Sequence, residues 1–313
     1  MRTAARSSLA AALLLIAPSA FFAGCLRTGS PEVVVYVSED QVFSEPILKD
    51  FERETGITVR AVFDTEEAKS TGVMNRLLAE ERNPQADVYW ANEPIRAEAL
   101  KLKAISAPYA SPNANGIPPP FRDPEHHWTG FSASARLLIV NTSVAQRPSS
   151  VSAYLDPQFA GRAAIANPLF GTTTAHAAAL FALWGEAKAN AFFDAMKANH
   201  VRVTTSNGDS ADLVAEGESD FALVDSDDAF NRQKQGRPVV AVVPDQTPDQ
   251  PGVLLLPNVA LLVKGAPHAE NGRKLIDTCS RRTRSENSHS PIAPRSRSTL
   301  ESRRRRTCRG SRD

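Results

Sequence analysis

Cysteine is scarce in this chain of 313 residues, and the positions of its cysteines exclude several kinds of site. The three cysteines are Cys25, Cys279 and Cys308, so residues 26–277 contain none. A globular region without cysteine can form neither a disulfide framework nor a thiolate zinc site. A cysteine nucleophile is excluded in this region for the same reason.

Long apolar runs are absent after the first 25 residues. No later segment reaches the ~18 uninterrupted apolar residues that a membrane span requires. The chain begins instead like a secretory leader, with Arg2 and Arg6 before the apolar run Leu9–Ala17. We therefore predict a signal peptide over residues 1–24.

The leader ends in Phe22-Ala23-Gly24-Cys25, which resembles the lipobox of bacterial lipoproteins. In that motif the cysteine thiol is acylated after export, so we predict lipidation of Cys25. We expect the protein in the periplasm or at the cell surface, lipid-anchored to the membrane. The alternative is an ordinary cleaved signal peptide beside an incidental cysteine.

Basic residues are few outside the C-terminal region, although the whole chain balances 36 Lys and Arg against 35 Asp and Glu. Residues 278–313 hold 11 Arg and three acidic residues, which leaves 23 basic and 32 acidic residues over 25–277. An acidic folded region does not suit nucleic acid, and we expect no nucleic-acid partner. We predict that residues 278–313 are disordered or the product of a shifted reading frame. A basic tail that binds nucleic acid or anionic lipid is the alternative for this segment.

Strand-like and helix-like segments alternate from residue 32. Glu32–Val37, Ile57–Phe63 and Ala86–Trp90 have the pattern of buried strands. Between them, Phe43–Thr55 and Thr71–Arg82 carry apolar residues at helical spacing. Such short alternating segments predict an α/β fold with a parallel sheet covered by helices, and the alternation continues long enough for two similar lobes.

Polar loops follow the predicted strands, at the sheet edge where α/β proteins bind ligands. Three of these loops carry two or more carboxylates each, and clustered carboxylates require a cation, a proton or a hydrogen-bonding ligand. Asn167–Thr174 opens a helix with one Gly and three Thr, which suits an anion. We therefore predict a ligand site at this edge. The acidic loops are Ser38–Gln41, Asp64–Gly72 and Asp225–Asp228.

Signs of catalysis are weak, and we predict that the protein is not an enzyme. A Gly-x-Ser-x-Gly nucleophile elbow is missing from the sequence. His126 and His127 have neither a third His nor a Cys nearby, so we assign them surface or packing roles. The remaining alternative is a secreted metal-dependent hydrolase. The adjacency of Asp227 and Asp228 argues against it, because neighbouring residues in a chain seldom face a substrate from opposite sides.

Several longer segments have a specific combination of residues. They are VVVY, FERETGITV and NPQADVYW within Glu32–Pro94, WTGFS at Trp128–Ser132, and AEGESDFALVDSDDAF at 215–230. Together these segments resemble the ferric-iron-type substrate-binding proteins of ABC importers. The resemblance covers about residues 32–277 and implies a class II periplasmic binding protein, an α/β fold with two lobes joined by a two-strand hinge. It implies lobe one at 31–133 plus 252–277, lobe two at 137–248, and hinge strands near Arg136–Asn141 and Pro251–Val259.

The resemblance also implies a ligand set, from which this chain departs. Iron-binding members hold Fe(III) with two adjacent tyrosines, a histidine and a glutamate. Here Asp227 and Asp228 stand at the tyrosine positions, Asp40 or Glu39 at the histidine position, and Glu93 at the glutamate position. Our candidates for ligand or metal contact are therefore Asp40, Glu93, Asp227 and Asp228. Carboxylates suit Fe(III), but also Ca, Mg, Mn or an ammonium group.

The family holds an anion beside its cation, and the resemblance implies corresponding contacts here. The candidates are Arg136, Gly171, Thr172, Thr173, Ser206 and Asn207. We thus expect a solute-binding lipoprotein whose partners are an ABC permease, a small ligand and, through its anchor, the membrane. We expect no catalytic cofactor. The expected ligand is iron(III) or another hard cation, which a synergistic anion can accompany. The alternative ligand is a phosphorylated or amine-bearing small organic solute.

Overall fold

The computed structural model describes residues 30–64 and 70–286, with side chains up to Arg281. The predicted signal peptide with Cys25, and residues 287–313 of the predicted tail, lie outside the described residues. Among the described helices, none combines the length and apolar character that a bilayer span needs.

Ten strands, eight α-helices and four short 3₁₀-helices make up the regular structure of the described chain. The strands are β1 (Glu32–Val37), β2 (Thr58–Phe63), β3 (Val88–Ala91), β4 (Ser106–Ala107), β5 (Thr129–Asn141), β6 (Ala163–Ala166), β7 (Arg202–Thr204), β8 (Phe221–Asp225), β9 (Val239–Val242) and β10 (Leu255–Val263). The helices are α1 (Gln41–Thr55), α2 (Thr71–Ala79), α3 (Pro94–Leu102), α4 (Gly171–Trp184), α5 (Glu186–Ala198), α6 (Asn207–Ala215), α7 (Ser226–Lys234) and α8 (Ala269–Glu286).

The strands follow the order β2-β1-β3-β10-β5-β8-β6-β7, with β4 beside β10 and β9 beside β5. β1 pairs in parallel with β2 and β3, and β6 pairs in parallel with β7 and β8. The carboxyl ends of each parallel group therefore meet at one edge, where their loops lead into helices. We call β1–β4, β10 and their helices the first lobe, and β6–β9 and their helices the second lobe.

The long strand β5 belongs to both lobes. Its residues Thr129–Ala135 pair with β10, whereas Arg136–Asn141 pair with β8 and β9. The chain returns to the first lobe just before β10, where the Arg136 backbone N–H donates to the Leu254 carbonyl at 2.9 Å. A strand that changes partners halfway, with a returning segment beside it, is the arrangement predicted for the hinge. The residue ranges given above for the lobes stay a prediction.

Each lobe has a hydrophobic core of its own. In the first lobe Trp90 packs edge-on against Phe131, with ring centroids 4.7 Å apart. In the second lobe Tyr154 and Phe159 pack against Phe221 at 4.8 and 5.0 Å. Separate cores allow the lobes to move as units about β5, because little apolar packing is shared between them.

Helix α8 continues beyond the change of composition at residue 278. It runs to Glu286, and Cys279 is 2% exposed within the core of the first lobe. Leu275, Ile276 and Cys279 lie three and four residues apart, which keeps them on one face of the helix. Tyr109 Oη donates to both carboxylate oxygens of Asp277, each at 2.9 Å. The predicted boundary at residue 277 therefore falls inside a helix.

Candidate functional site

Four helices begin at a cleft between the two lobes. α1 belongs to the first lobe, and α4, α6 and α7 belong to the second. The cleft has a volume of about 460 Å³. The start of a helix carries unpaired backbone N–H groups and a partial positive charge, so these four ends favour anionic groups in the cleft.

The start of α4 is the end best suited to a ligand. Phe170 at its N-cap supplies no capping side chain, and Gly171 begins the helix with φ of 56°. Glycine adopts such a positive φ without strain, and its missing side chain lets a ligand approach the backbone. Gly171, Thr172 and Thr173 line the cleft as predicted. Their backbone therefore forms a surface to which an anion can bind.

Ser206 lines the cleft but serves its own helix. Its Oγ accepts a hydrogen bond from the Asp209 backbone N–H at 3.0 Å, the usual role of a serine at an N-cap. The cap uses a lone pair of the hydroxyl, so its proton is still able to donate to an anion in the cleft.

Arg136 is fully buried behind the cleft wall and does not line the cleft. Its Nη1 donates to Asp225 Oδ1 at 2.8 Å and to Thr172 Oγ1 at 3.0 Å. Its Nη2 donates to Thr173 Oγ1 at 3.1 Å and to the Leu223 carbonyl at 3.3 Å. The guanidinium therefore organises protein groups, whereas the sequence predicted a direct contact with an anion.

Asp225, which the sequence analysis did not select, is the centre of this network. Its Oδ2 accepts from Thr172 Oγ1 at 2.6 Å and from Asn207 Nδ2 at 3.1 Å. Asn207 Oδ1 accepts in turn from Thr173 Oγ1 at 3.3 Å. Four predicted anion contacts are thus hydrogen-bonded to one another around a carboxylate of the protein. The sequence did contain a signal for Asp225, because it lies at the end of a predicted strand that leads into a helix.

Carboxylates from both lobes face the cleft. Asp40 precedes α1 in the first lobe, and Asp227 and Asp228 lie in the first turn of α7 in the second. Asp227 Oδ1 accepts from Ser134 Oγ at 3.0 Å. The structure therefore brings three of the four predicted cation ligands to one cleft.

Arg232 is a cleft residue that the sequence analysis missed. Its Nη1 lies 3.3 Å from Asp228 Oδ1, and its Nε lies 3.0 Å from Asp212 Oδ1. Its Nη2 donates to the Gly208 carbonyl at 3.1 Å, which ties α7 to α6. The sequence did contain a signal for Arg232, because it follows Asp228 by four residues and such residues lie on one face of a helix.

Glu93, the fourth predicted ligand, does not line the cleft. It is fully buried at the N-cap of α3, just before Pro94, and accepts from the backbone N–H groups of Ile95 and Arg96. The Arg96 guanidinium lies 3.4 Å from its Oε1. Burial raises the pKa of Glu93, and the charge of Arg96 acts in the opposite direction. The neighbouring Asn92 lines the cleft instead.

The described residues offer no preformed ferric site. Among them no group of three or more His, Cys, Asp or Glu side chains is placed to hold a metal ion. Phenolate oxygens are not available either, because no tyrosine lines this cleft and each tyrosine hydroxyl bonds elsewhere. The hydroxyl partners are Glu80 for Tyr36, Ser38 for Tyr89, Asp277 for Tyr109, and the Ala164 carbonyl for Tyr154.

Two lobes on a shared strand, with a polar cleft between them, define a two-lobed ligand-binding protein. The chain belongs to the family of bacterial extracellular solute-binding proteins, whose sequence model matches residues 47–287. One relative is a periplasmic protein of Salmonella paratyphi A that carries a provisional name as a 2-aminoethylphosphonate-binding protein. It is 32% identical over 234 residues, which cover 72% of this chain and 66% of the relative. The chain thus spans slightly less than two thirds of the length of that relative.

Solved structures confirm the predicted class II periplasmic binding protein fold. Iron-bound HitA from Pseudomonas aeruginosa has a TM-score of 0.73 and 20% identity, over 81% of this chain and 83% of that chain. AfuA from Actinobacillus pleuropneumoniae with bound fructose-6-phosphate has a TM-score of 0.72 and 24% identity, over 82% of each chain. One of these proteins holds a metal and the other a phosphorylated sugar, so the shared fold leaves the ligand open.

Proposed function

We propose that this chain is the solute-binding component of an ABC importer and that its ligand is a small zwitterionic solute. The solute carries a phosphonate or phosphate group at one end and an ammonium group at the other. The observation that carries the proposal is that one cleft contains both the uncapped start of α4 and the carboxylates of Asp40 and Asp227. The first prefers negative charge and the second prefers positive charge, which suits a zwitterion better than a bare anion.

The relative named for binding 2-aminoethylphosphonate supports this choice, because that compound has both groups. The proposal also includes export, a lipid anchor at Cys25 and docking of the ligand-bound form on a permease. The leader-like sequence and the family support these parts. We assign the chain no catalytic step.

Calorimetry with three matched probes tests the proposal. 2-Aminoethylphosphonate carries both groups, ethylphosphonate lacks the amine, and ethylamine lacks the phosphonate. We expect 2-aminoethylphosphonate to bind more tightly than ethylphosphonate by a factor of about ten or more, because ethylphosphonate lacks the charge-assisted hydrogen bond of the amine. Ethylamine should not bind measurably. Equal affinities for the two phosphonates would contradict the assignment of a zwitterion.

Iron(III) or another hard cation is the second candidate, favoured by the carboxylates of Asp40, Asp227 and Asp228 in one cleft. Thermal melting of metal-free protein with ferric citrate tests it, since a ligand that binds only the folded state raises the melting temperature. A rise with ferric citrate but not with 2-aminoethylphosphonate would replace the first candidate by the second. Citrate alone is the control.

A further inference from the structure

The side chain of Asp225 is diverted from the helix that it precedes. Asp225 is the N-cap of α7, where an aspartate ordinarily accepts a backbone N–H of its own helix. It makes no such capping bond. Its carboxylate is instead hydrogen-bonded to Arg136, Thr172 and Asn207, at 2.8, 2.6 and 3.1 Å.

These three partners are the kinds of group that bind a solute anion in proteins. A guanidinium, a hydroxyl and a side-chain amide converge on Asp225, which is only 8% exposed. Thr172 Oγ1 also accepts from Arg136 Nη1 and from Asn207 Nδ2, both at 3.0 Å, so its single proton is left for Asp225. Thr172, Asn207 and Asp225 form part of the cleft wall, which we call the inner wall. This inner wall therefore has the arrangement of an anion-binding site whose anion is a carboxylate of the protein itself.

We propose that the Asp225 carboxylate is a tethered anion, which occupies this inner position and thereby determines solute specificity. Because Asp225 neutralises Arg136, the wall offers a solute anion the backbone N–H groups of α4 without an additional positive charge. The cleft therefore disfavours free phosphate and other multiply charged anions. It does not disfavour a solute that carries a positive charge of its own. The inference rests on the proposed function and names the residue that gives the cleft its preference for a zwitterion.

The variant Asp225→Asn tests the inference, because it keeps the shape of the side chain and removes its charge. We expect inorganic phosphate to bind this variant about tenfold or more tightly than the unchanged protein, as measured by calorimetry. The preference for 2-aminoethylphosphonate over phosphate should fall by a similar factor. The double variant Arg136→Gln, Asp225→Asn should lose the gain in phosphate affinity, because the released positive charge is absent.

Asp220→Asn is the matched control. It removes a carboxylate from a salt bridge to Arg162, with N···O of 2.6 Å, just before the other end of β8. We expect no gain in phosphate affinity from this change. If Asp225→Asn is too unstable for calorimetry, phosphate should still raise its melting temperature more than that of the unchanged protein.

Two outcomes separate this inference from the proposed function. The role of Asp225 would be overturned if the folded Asp225→Asn variant bound phosphate no more tightly than the unchanged protein. For an unstable variant, the corresponding outcome is that phosphate stabilises it no more than it stabilises the unchanged protein. That comparison uses phosphate alone and does not depend on the natural solute. Failure of 2-aminoethylphosphonate to bind the unchanged protein would contradict the proposed function instead.

Discussion

Burial, together with the positive charge of Arg136, lowers the pKa of His176 to about 3. His176 lies one turn beyond Thr172 in α4, and both of its ring nitrogens are buried without a hydrogen-bond partner among the described residues. A histidine in an unfolded chain has a pKa of about 6.5. The folded second lobe therefore excludes the charged form of His176 between about pH 3 and 6.5, and stability is lost as the pH falls through this window.

The variant His176→Met should make the protein more resistant to acid. Between about pH 6.5 and 4.5 the unchanged protein should lose about 2 kcal/mol of unfolding free energy through His176, and the variant should not. Urea unfolding at these two pH values measures the difference. His200→Gln, at an exposed histidine of the same lobe, is the control and should lose stability as the unchanged protein does. Equal losses in all three proteins would rule out a role for His176.

Gly171→Ala tests whether the anionic group of the solute lies on the backbone at the start of α4. The positive φ of Gly171 makes any side chain costly there, by about 1 kcal/mol, and the added methyl group would enter the anion position. We expect about a tenfold lower affinity for 2-aminoethylphosphonate in calorimetry.

Gly161→Ala is the matched control for strain. Gly161 has φ of 68° and no atom within 4 Å of an added Cβ, and it does not line the cleft. This variant should show a similar loss of melting temperature with unchanged affinity. If both variants bind equally well, the anionic group lies elsewhere.

Asp227→Asn tests the position of the ammonium group. Removing this carboxylate should weaken 2-aminoethylphosphonate by about tenfold without weakening ethylphosphonate, because only the first probe has a positive charge that Asp227 attracts. Ser134→Ala removes the hydroxyl that donates to Asp227 Oδ1, so we expect a smaller effect in the same direction. Glu216→Gln, at an exposed acid of the second lobe, is the control. A parallel loss for both phosphonates would place the ammonium group away from Asp227.

The sequence was sufficient for the elements and for the edge at which the cleft lies. Apolar spacing within each segment predicts β1, α1 and β2 directly, and the carboxyl ends of parallel strands have to meet. It was insufficient for the pair of Arg136 and Asp225. These residues are 89 positions apart and become neighbours only because β5 and β8 pair antiparallel in the register that places them opposite each other. Local patterns do not contain that register.

Glu93 lies away from the cleft for a reason that the sequence itself contains. Its position just before Pro94, at the start of a helix, is itself a capping pattern, since proline is common in the first turn and an acidic side chain accepts the free N–H groups. The resemblance to iron-binding proteins suggested a ligand at the same position. The local pattern gives the contact that the structure has, whereas the neighbouring Asn92, in the same loop after β3, lines the cleft.

Glu93→Gln should change the pH dependence of stability without changing solute preference. Burial raises the pKa of Glu93 above the ordinary value of 4.5 in spite of the opposing charge of Arg96. The folded state therefore binds this proton more tightly than the unfolded chain, and the stabilisation is lost as the pH rises above that value. The melting temperature of the unchanged protein relative to Glu93→Gln should fall between about pH 4 and pH 7. A relative melting temperature that rises over this range would mean that the salt bridge to Arg96 outweighs burial.

Solute preference is the second readout for Glu93→Gln. The ratio of affinities for 2-aminoethylphosphonate and ethylphosphonate should stay constant in this variant, because Glu93 does not line the cleft. Asp227→Asn should lower the same ratio.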